Sequence, residues 1–494
     1  MGTAESLAFF VPEVVLAGTV LALIFFDLLA VGAQDRANAV GFVALGGAII
    51  ALGASLALWG APPSWLFGRM VVLDAFAVFF KILLGLSLVA AIVMSLGSGE
   101  VAGRPNEGEY YTLLVSSGLG MLLMASAGNL LMAYLSLEFV SLTSYVLTGF
   151  LRHNRRSGEA ALKYLIYGGV ASGAMIYGMS WLFGLTGSMD YAVIAKQVVT
   201  LDTASQGALF VALLLVLTGF GYKIAAVPFH MWAPDVYTGA PIPVTAFLAV
   251  GSKAAGFAIL LRFFHFGVTA DGPVTAVPGG LPLVTMLMMI CFLTMTLGNL
   301  AALSQQNIKR LLAYSSIAHA GYALLGIVVF RDQGVQAALV YLAVYYVMNL
   351  GAFWVVMLVA NATGQEDLDG YRGLAWRGGA APAVTLTVFL TSLAGLPPLA
   401  GFIGKFYVFA AGIKGGMVAL VVAGALNSVV SLYYYFRIVK KMFLEEPRPS
   451  DPTLHFPAIG VGALVALSLA TLFFGVQFGW LYEAAGAASR IFVG

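Results

Sequence analysis

Apolar stretches of about twenty residues, the length that crosses the hydrocarbon core of a bilayer, recur from one end of this 494-residue chain to the other. In lipid each stretch must be helical, because an unpaired backbone N–H or C=O there costs several kcal/mol. The expected fold is therefore an all-α polytopic membrane bundle. Composition agrees: 9% of the residues are charged and 61% are hydrophobic, whereas a soluble domain carries roughly a quarter charged residues.

Gly, Pro and charge punctuation divides the chain into about 14 spans. They cover 8–30, 37–59, 70–97, 110–127, 129–151, 160–186, 206–233, 240–262, 277–303, 309–330, 334–361, 381–411, 415–443 and 454–481. No long polar insertion interrupts them, so one integral membrane domain over 1–494 is expected. Within it, 1–109 would hold the first three helices, 110–262 a first repeat, 277–443 a second and 454–494 the C-terminal helix. No positive segment or small-residue cleavage site precedes the first run, which is expected to remain as a helix.

Basic residues set the orientation. With the N-terminus outside, one set of loops holds Arg36, Arg104, Arg152, Arg155, Arg156, Lys163, Lys309, Arg310, Arg372, Arg377, Arg437, Lys440, Lys441 and Arg448. The other holds only Arg69, Lys196, Arg262, Arg331, Lys414 and Arg490. This asymmetry puts both termini on the periplasmic side of a bacterial inner membrane. The net charge of +2 comes with no basic tail, and nothing points to nucleic acid. A single cysteine, Cys291, excludes an internal disulfide and a thiolate-ligated iron–sulfur cluster within the chain.

Four lysines fall inside the spans: Lys81, Lys223, Lys253 and Lys405. Each costs at least ~2.5 kcal/mol at mid-membrane, so such residues are normally retained for a pathway, a relay or a counter-ion. Glu138 lies mid-span as well, and Glu13, Asp27 and Asp74 fall within spans one and three. Tyr134, Glu138, Ser141 and Tyr145 share one helical face, a polar stripe expected to point into the bundle. Asp74 lies two turns before Lys81 on one face, which suggests a structural ion pair as readily as a relay.

Lys223 sits among Gly219, Gly221 and Pro228, and Lys405 among Gly395, Pro397, Pro398, Gly401 and Gly404. Spans seven and twelve are therefore expected to be discontinuous, the mark of a transport site when it recurs in two halves. Five spans separate them, so spans 4–8 and 9–13 read as inverted five-helix repeats. GNL at Gly128–Leu130 and Gly298–Leu300, and AYLSLEF near Ala133 against AYSSIAH near Ala313, are weak internal echoes. Lys253 lies between the two breaks, a natural relay. His319 shares a face with Ser315 and Tyr322, and imidazole titrates near neutrality; a satisfied core histidine is the favoured reading for it over a relay, and His230 stays open between the two. Burial disfavours an ammonium and a nearby carboxylate restores it. A Glu–Lys pair whose separation or hydration changes can thus alternately hold and release a proton.

The segments KIAAVPFHMWAPDVYTGAPIPVTAFLAVGSKAAGF (Lys223 to Phe257), QQNIKRLLAYSSIAHAGY (Gln305 to Tyr322) and LAGLPPLAGFIGKFYVF (Leu393 to Phe409) carry a resemblance. They resemble the antiporter-like membrane subunits of the proton-pumping NADH:quinone oxidoreductase, respiratory complex I, and the similarity covers essentially the whole chain. Lysine at 405, the PDVYTGAP string, the early Pro12–Glu13 pair and the end of the chain soon after the last span look like the N branch of that family. The resemblance implies proton translocation coupled to electron transfer from NADH to quinone. Glu138 and Lys223 would form the first-half pair, Lys253 the connecting lysine and Lys405 the exit residue, with His319, His230 and Tyr134 as candidate relays. It implies no redox cofactor in this chain; FMN, iron–sulfur clusters and quinone would be held by other subunits. Its partners would be those subunits, the other antiporter-like subunits among them, and lipid.

Three rivals share parts of this pattern. A cation/proton antiporter subunit would be expected to line its path with carboxylates and carbonyls rather than lysines. A ferredoxin- or F420-linked relative would use a nearly identical membrane subunit. A haem cytochrome needs paired axial ligands, and only His230 and His319 lie deep enough.

Overall fold

In a computed structural model, residues 2–29, 36–104, 106–267, 283–449 and 451–489 are described. The start of the ninth expected span (277–282) and Arg490 lie outside them. In chain order the helices are α1 (Thr3–Ala8), α2 (Val11–Leu29), α3 (Arg36–Ala57), α4 (Ala75–Leu96), α5 (Glu107–Ala125), α6 (Leu130–Thr148), α7 (Arg155–Thr186), α8 (Tyr191–Val198), α9 (Thr203–Ile224), α10 (Trp232–Gly239), α11 (Ile242–Phe247), α12 (Lys253–Gly267), α13 (Leu283–Ala302), α14 (Ile308–Val328), α15 (Asp332–Thr363), α16 (Ala380–Ala394), α17 (Ala400–Lys414), α18 (Val418–Phe443), α19 (Ala458–Val476) and α20 (Gly479–Ser489). Eleven helices among the described residues are long and apolar enough to cross a membrane. Each expected span coincides with a helix or a broken helix.

Some boundaries differ from the sequence reading. Residues 70–74 do not open the third span: Ser64–Leu66 (β1) and Val71–Leu73 (β2) form an antiparallel hairpin in which Ser64 faces Leu73. Asp74 then caps α4, accepting from Ala77 N–H at 2.7 Å. The last span divides into α19 and α20, and α8 was not foreseen. Span eight is continuous but carries a fully buried π-helical turn at Leu248–Ser252, immediately before Lys253. Such turns concentrate at functional positions in helices.

The inverted repeats show in a device used twice. Asn129 caps α6 through Met132 N–H at 2.8 Å, and Asn307 caps α14 through Arg310 N–H at 3.1 Å. Each asparagine also forms an isolated antiparallel bridge, Asn129 with Asp190 and Asn307 with Asp367. Both bridges follow a 32-residue helix, α7 and α15. One sits beside Arg69, which pairs with Asp190 at 2.7 Å; the other lies at the opposite, basic end beside Lys309. The GNL echo does not mark equivalent places: Asn129 opens α6, whereas Asn299 is buried near the end of α13.

Candidate proton-conducting site

Both discontinuous spans break as the Pro/Gly pattern requires. α9 stops at Ile224, Ala225 turns left-handed with φ of 56°, and the span resumes at Trp232. The backbone groups freed by the break are taken up by side chains, as they must be away from water. Trp232 Nε1–H donates to Tyr222 C=O at 3.0 Å, and Val227 N–H donates to Thr294 Oγ1 at 3.0 Å. In the second half α16 ends at Gly395, φ 90°, and α17 begins at Ala400. There Gly401 N–H donates to Ser392 Oγ at 3.0 Å.

The two break lysines occupy related positions by different routes. Lys223 is on the last turn of α9. Lys405 lies beyond its break, yet its Nζ reaches back to the carbonyls of Leu393 and Ala394 at 3.1 and 2.9 Å, the C-terminal end of α16. Each ammonium thus stands at the C-terminus of a half-helix, where the dipole and the unpaired carbonyls favour a cation. The Tyr322 ring packs against Lys405, 4.6 Å from Nζ to its centroid.

On α6, Tyr134 and Glu138 are half-buried, while Ser141 and Tyr145 are buried on the same face. Lys223 Nζ donates to Ser141 Oγ at 3.3 Å. Glu138 is close enough to act on Lys223 electrostatically, and its Oε1 makes no hydrogen bond among the described residues. The stripe read from the sequence thus meets the first break lysine.

Lys253 donates to Ser316 Oγ at 2.6 Å, and Tyr345 Oη donates to the same oxygen at 2.8 Å. One turn on, His319 Nδ1 is 2.6 Å from Tyr341 Oη and its Nε2 3.2 Å from Tyr435 Oη. Tyr435 Oη is in turn 2.5 Å from Ser315 Oγ. A cavity of about 10 Å³, room for one water, lies among Lys253, Ser316, His319, Tyr341 and Tyr345. His319 is near enough to feel the charges of both Lys253 and Lys405. With both ring nitrogens partnered by tyrosines, it is a satisfied core histidine. Ser316, Tyr341 and Tyr435 were missed; Ser316 was legible as a hydroxyl beside Ser315 in an apolar helix, whereas the tyrosines come from other helices. His230, in the first break, is half-buried with Nδ1 unpaired, and no hydrogen bond among the described residues joins it to the four.

Three expectations about charges are corrected. Lys81 does not pair with Asp74: its Nζ is 2.7 Å from Glu13 Oε1, with both side chains fully buried. Asp74 is instead gripped by Arg262, whose Nη1 and Nη2 donate to its two carboxylate oxygens at 2.9 and 3.0 Å. Arg262 was read as a loop charge because it ends an apolar run, but it is completely buried. Lys309, also assigned to a loop, is buried and donates to Ala240 C=O and Glu366 Oε1, each at 2.8 Å. Among the described residues no group of three His, Cys, Asp or Glu side chains is placed to hold a metal.

Residues 127–431, more than half of the chain, match the family described as NADH:quinone oxidoreductase/Mrp antiporter, TM. The chain is 47% identical to NADH-quinone oxidoreductase subunit N 2 of Sorangium cellulosum, over 97% of this chain and 96% of that protein. It is 46% identical to NADH-quinone oxidoreductase subunit N of Chlorobium chlorochromatii, over 99% and 95%. Among solved structures, a chain of respiratory complex I from Thermus thermophilus with bound aureothin superposes with a TM-score of 0.79 at 32% identity, over 96% of this chain and 99% of that one. Fold, broken helices and near full-length similarity together place this chain in the antiporter-like membrane-subunit family of the NADH:quinone oxidoreductases, with the N subunits.

Proposed function

We propose that the chain carries protons across a bacterial inner membrane, with both termini on the periplasmic side, while partner subunits holding FMN, iron–sulfur clusters and quinone transfer electrons from NADH. The observation that carries this reading is a set of enclosed ionisable groups, each held by hydroxyls or carbonyls: Lys223 on Ser141 beside Glu138, Lys253 on Ser316, His319 between two tyrosines, and Lys405 on the α16 carbonyls. Lone buried ammonium groups are costly, and neutral helices would fill the same space more stably. Hydroxyl and imidazole groups between them can accept a proton on one side and donate one on the other.

The chain's own residues have distinct tasks. Glu138 holds the first proton on Lys223 while the two are close and lets it go when they separate. Lys253 and His319 pass charge between the halves. Lys405, held by two backbone carbonyls, retains a proton until that cradle or its hydration changes. Tyr134 borders the Glu138 end; His230 has no assigned step.

Inverted membrane vesicles carrying chromosomal Lys223→Ala test the reading, with NADH-driven proton uptake and quinone reduction measured together. An assembled variant should lose most of its uptake and slow its quinone reduction. Wild-type uptake in an assembled Lys223→Ala complex would overturn Lys223 as a carrier. Proton movement driven by a Na⁺ or K⁺ pulse, with none driven by NADH in wild type, would replace the function with cation/proton exchange.

A further inference from the structure

At the basic end of the bundle a polar vestibule of about 530 Å³ opens among the loops, lined by Glu100, Arg156, Thr238, Lys309, Asn361 and Glu366. One of its carboxylates is held in place by the backbone. Glu100, four residues beyond the end of α4, accepts from Ile242 N–H at 2.7 Å, at the start of the span that carries Lys253. The groups facing that carboxylate from neighbouring elements are Lys309 on α14, Glu366 after α15, and Arg104 on its own loop. Burial pushes the Glu100 carboxyl above the usual carboxylate range, with Lys309 and the Ile242 N–H opposing it. A carboxyl so placed exchanges protons closer to neutrality than an exposed one.

Between this vestibule and Lys253 lies a set of buried polar groups with no hydrogen-bond partner among the described residues. Tyr237 is fully buried on α10, next to the vestibule residues Thr238 and Gly239, and its ring lies 5.8 Å from Lys253 Nζ. Its hydroxyl faces Ser316 without closing a hydrogen bond. Asn349 on α15 is also fully buried, with both side-chain polar atoms unpaired. It follows Tyr345, a partner of Ser316, by one turn, and precedes Phe353, whose ring is 6.3 Å from that of Tyr237. Asn349 therefore faces the same seam. Buried polar atoms left unpaired by protein are the places where water is held.

We propose that the vestibule is the proton inlet for Lys253, with Glu100 collecting the proton, Tyr237 passing it on and Asn349 holding water along the way. The inference rests on the proton-carrying reading of the lysines and adds to it the residues by which a proton would enter. In the step, hydronium in the vestibule gives a proton to the Glu100 carboxylate and leaves water. The carboxylic acid then returns to carboxylate as a proton passes by hydroxyl and bound water to the neutral Lys253 amine, which becomes ammonium.

The test uses the intact complex in inverted vesicles, with assembly followed on native gels. Glu100→Gln should lower NADH-driven proton uptake at least fivefold, and Glu100→Asp should recover more than half of it. Tyr237→Phe should lower uptake less than Glu100→Gln does. Thr238→Cys in a Cys291→Ser background should be modified by a charged, membrane-impermeant methanethiosulfonate in inverted but not right-side-out vesicles, and the modification should slow uptake. Wild-type uptake in an assembled Glu100→Gln complex, or Thr238→Cys that resists the reagent in inverted vesicles, would overturn the inlet. If Lys253→Ala and Lys405→Ala complexes also pump normally, the failure belongs to the lysine reading instead.

Discussion

Lys253 Nζ and Ser316 Oγ, 63 positions apart in the chain, meet at 2.6 Å in the middle of the bundle, and Tyr345 donates to the same oxygen. A hydrogen bond to a charged group contributes about 1.5–3 kcal/mol. Ser316→Ala should therefore leave assembly intact and lower NADH-driven proton uptake by on the order of tenfold, each ~1.4 kcal/mol being a factor of ten. Tyr345→Phe, which keeps the serine for Lys253, should cost less. Equal uptake in wild type and Ser316→Ala would show that the contact only packs α12 against α14.

Gly395 separates α16 from Lys405 with almost no room to spare. Its φ is 90°, and an added Cβ would stand 2.7 Å from Lys405 Cδ. Gly395→Ala should cost about 1–2 kcal/mol from the left-handed backbone and push Lys405 off the Leu393 and Ala394 carbonyls. We expect a complex that assembles, melts a few degrees lower by differential scanning fluorimetry, and pumps poorly. Unchanged pumping would mean that the carbonyl cradle is dispensable.

Arg262 ties the hairpin end of α4 to α12 and also donates from Nε to Ala125 C=O at 3.0 Å. Removing one partner of such a buried pair costs about 3–5 kcal/mol, whereas replacing both with apolar groups is often neutral. Arg262→Met or Asp74→Leu alone should reduce the amount of assembled complex on native gels, and the double variant should regain it. Since Asp74 also caps α4, the rescue should fall short by ~1 kcal/mol. A double variant no better than either single one would refute the pairing as the source of the loss.

The Glu13–Lys81 pair is wholly enclosed between α2 and α4. No hydrogen bond among the described residues links it to the line from Glu138 to Lys405, and we expect it to fasten the first helices together. Glu13→Gln with Lys81→Met should assemble and pump at more than half the wild-type rate, while Lys81→Met alone assembles poorly. Loss of pumping in a fully assembled double variant would make Lys81 a carrier after all.

Lys223, Lys253 and Lys405 were legible because each interrupts an apolar run that has no other reason to hold a charge. Arg262 and Lys309 were not, since at the end of a run a buried charge and a loop charge look alike. The same ambiguity led Asp74 to be matched with Lys81, the nearest opposite charge on its own helix, when its partner lies 188 residues away. The hairpin at 64–73 was hidden for a related reason: Val71, Val72 and Leu73 are as apolar as the helix they precede.

The cost of placing polar or charged groups in lipid depends on residue type along a short window. Spans, breaks and central lysines could therefore be read without knowing which helices touch. Pairing depends on which helices meet and on how each is rotated. Glu13 reached Lys81, His319 found Tyr341 and Tyr435, and Glu100 came to the start of the Lys253 span only through packing of segments distant in the chain. Hydrogen bonds and ion pairs act over a few ångströms, and in a bundle of long helices nothing local reveals those separations.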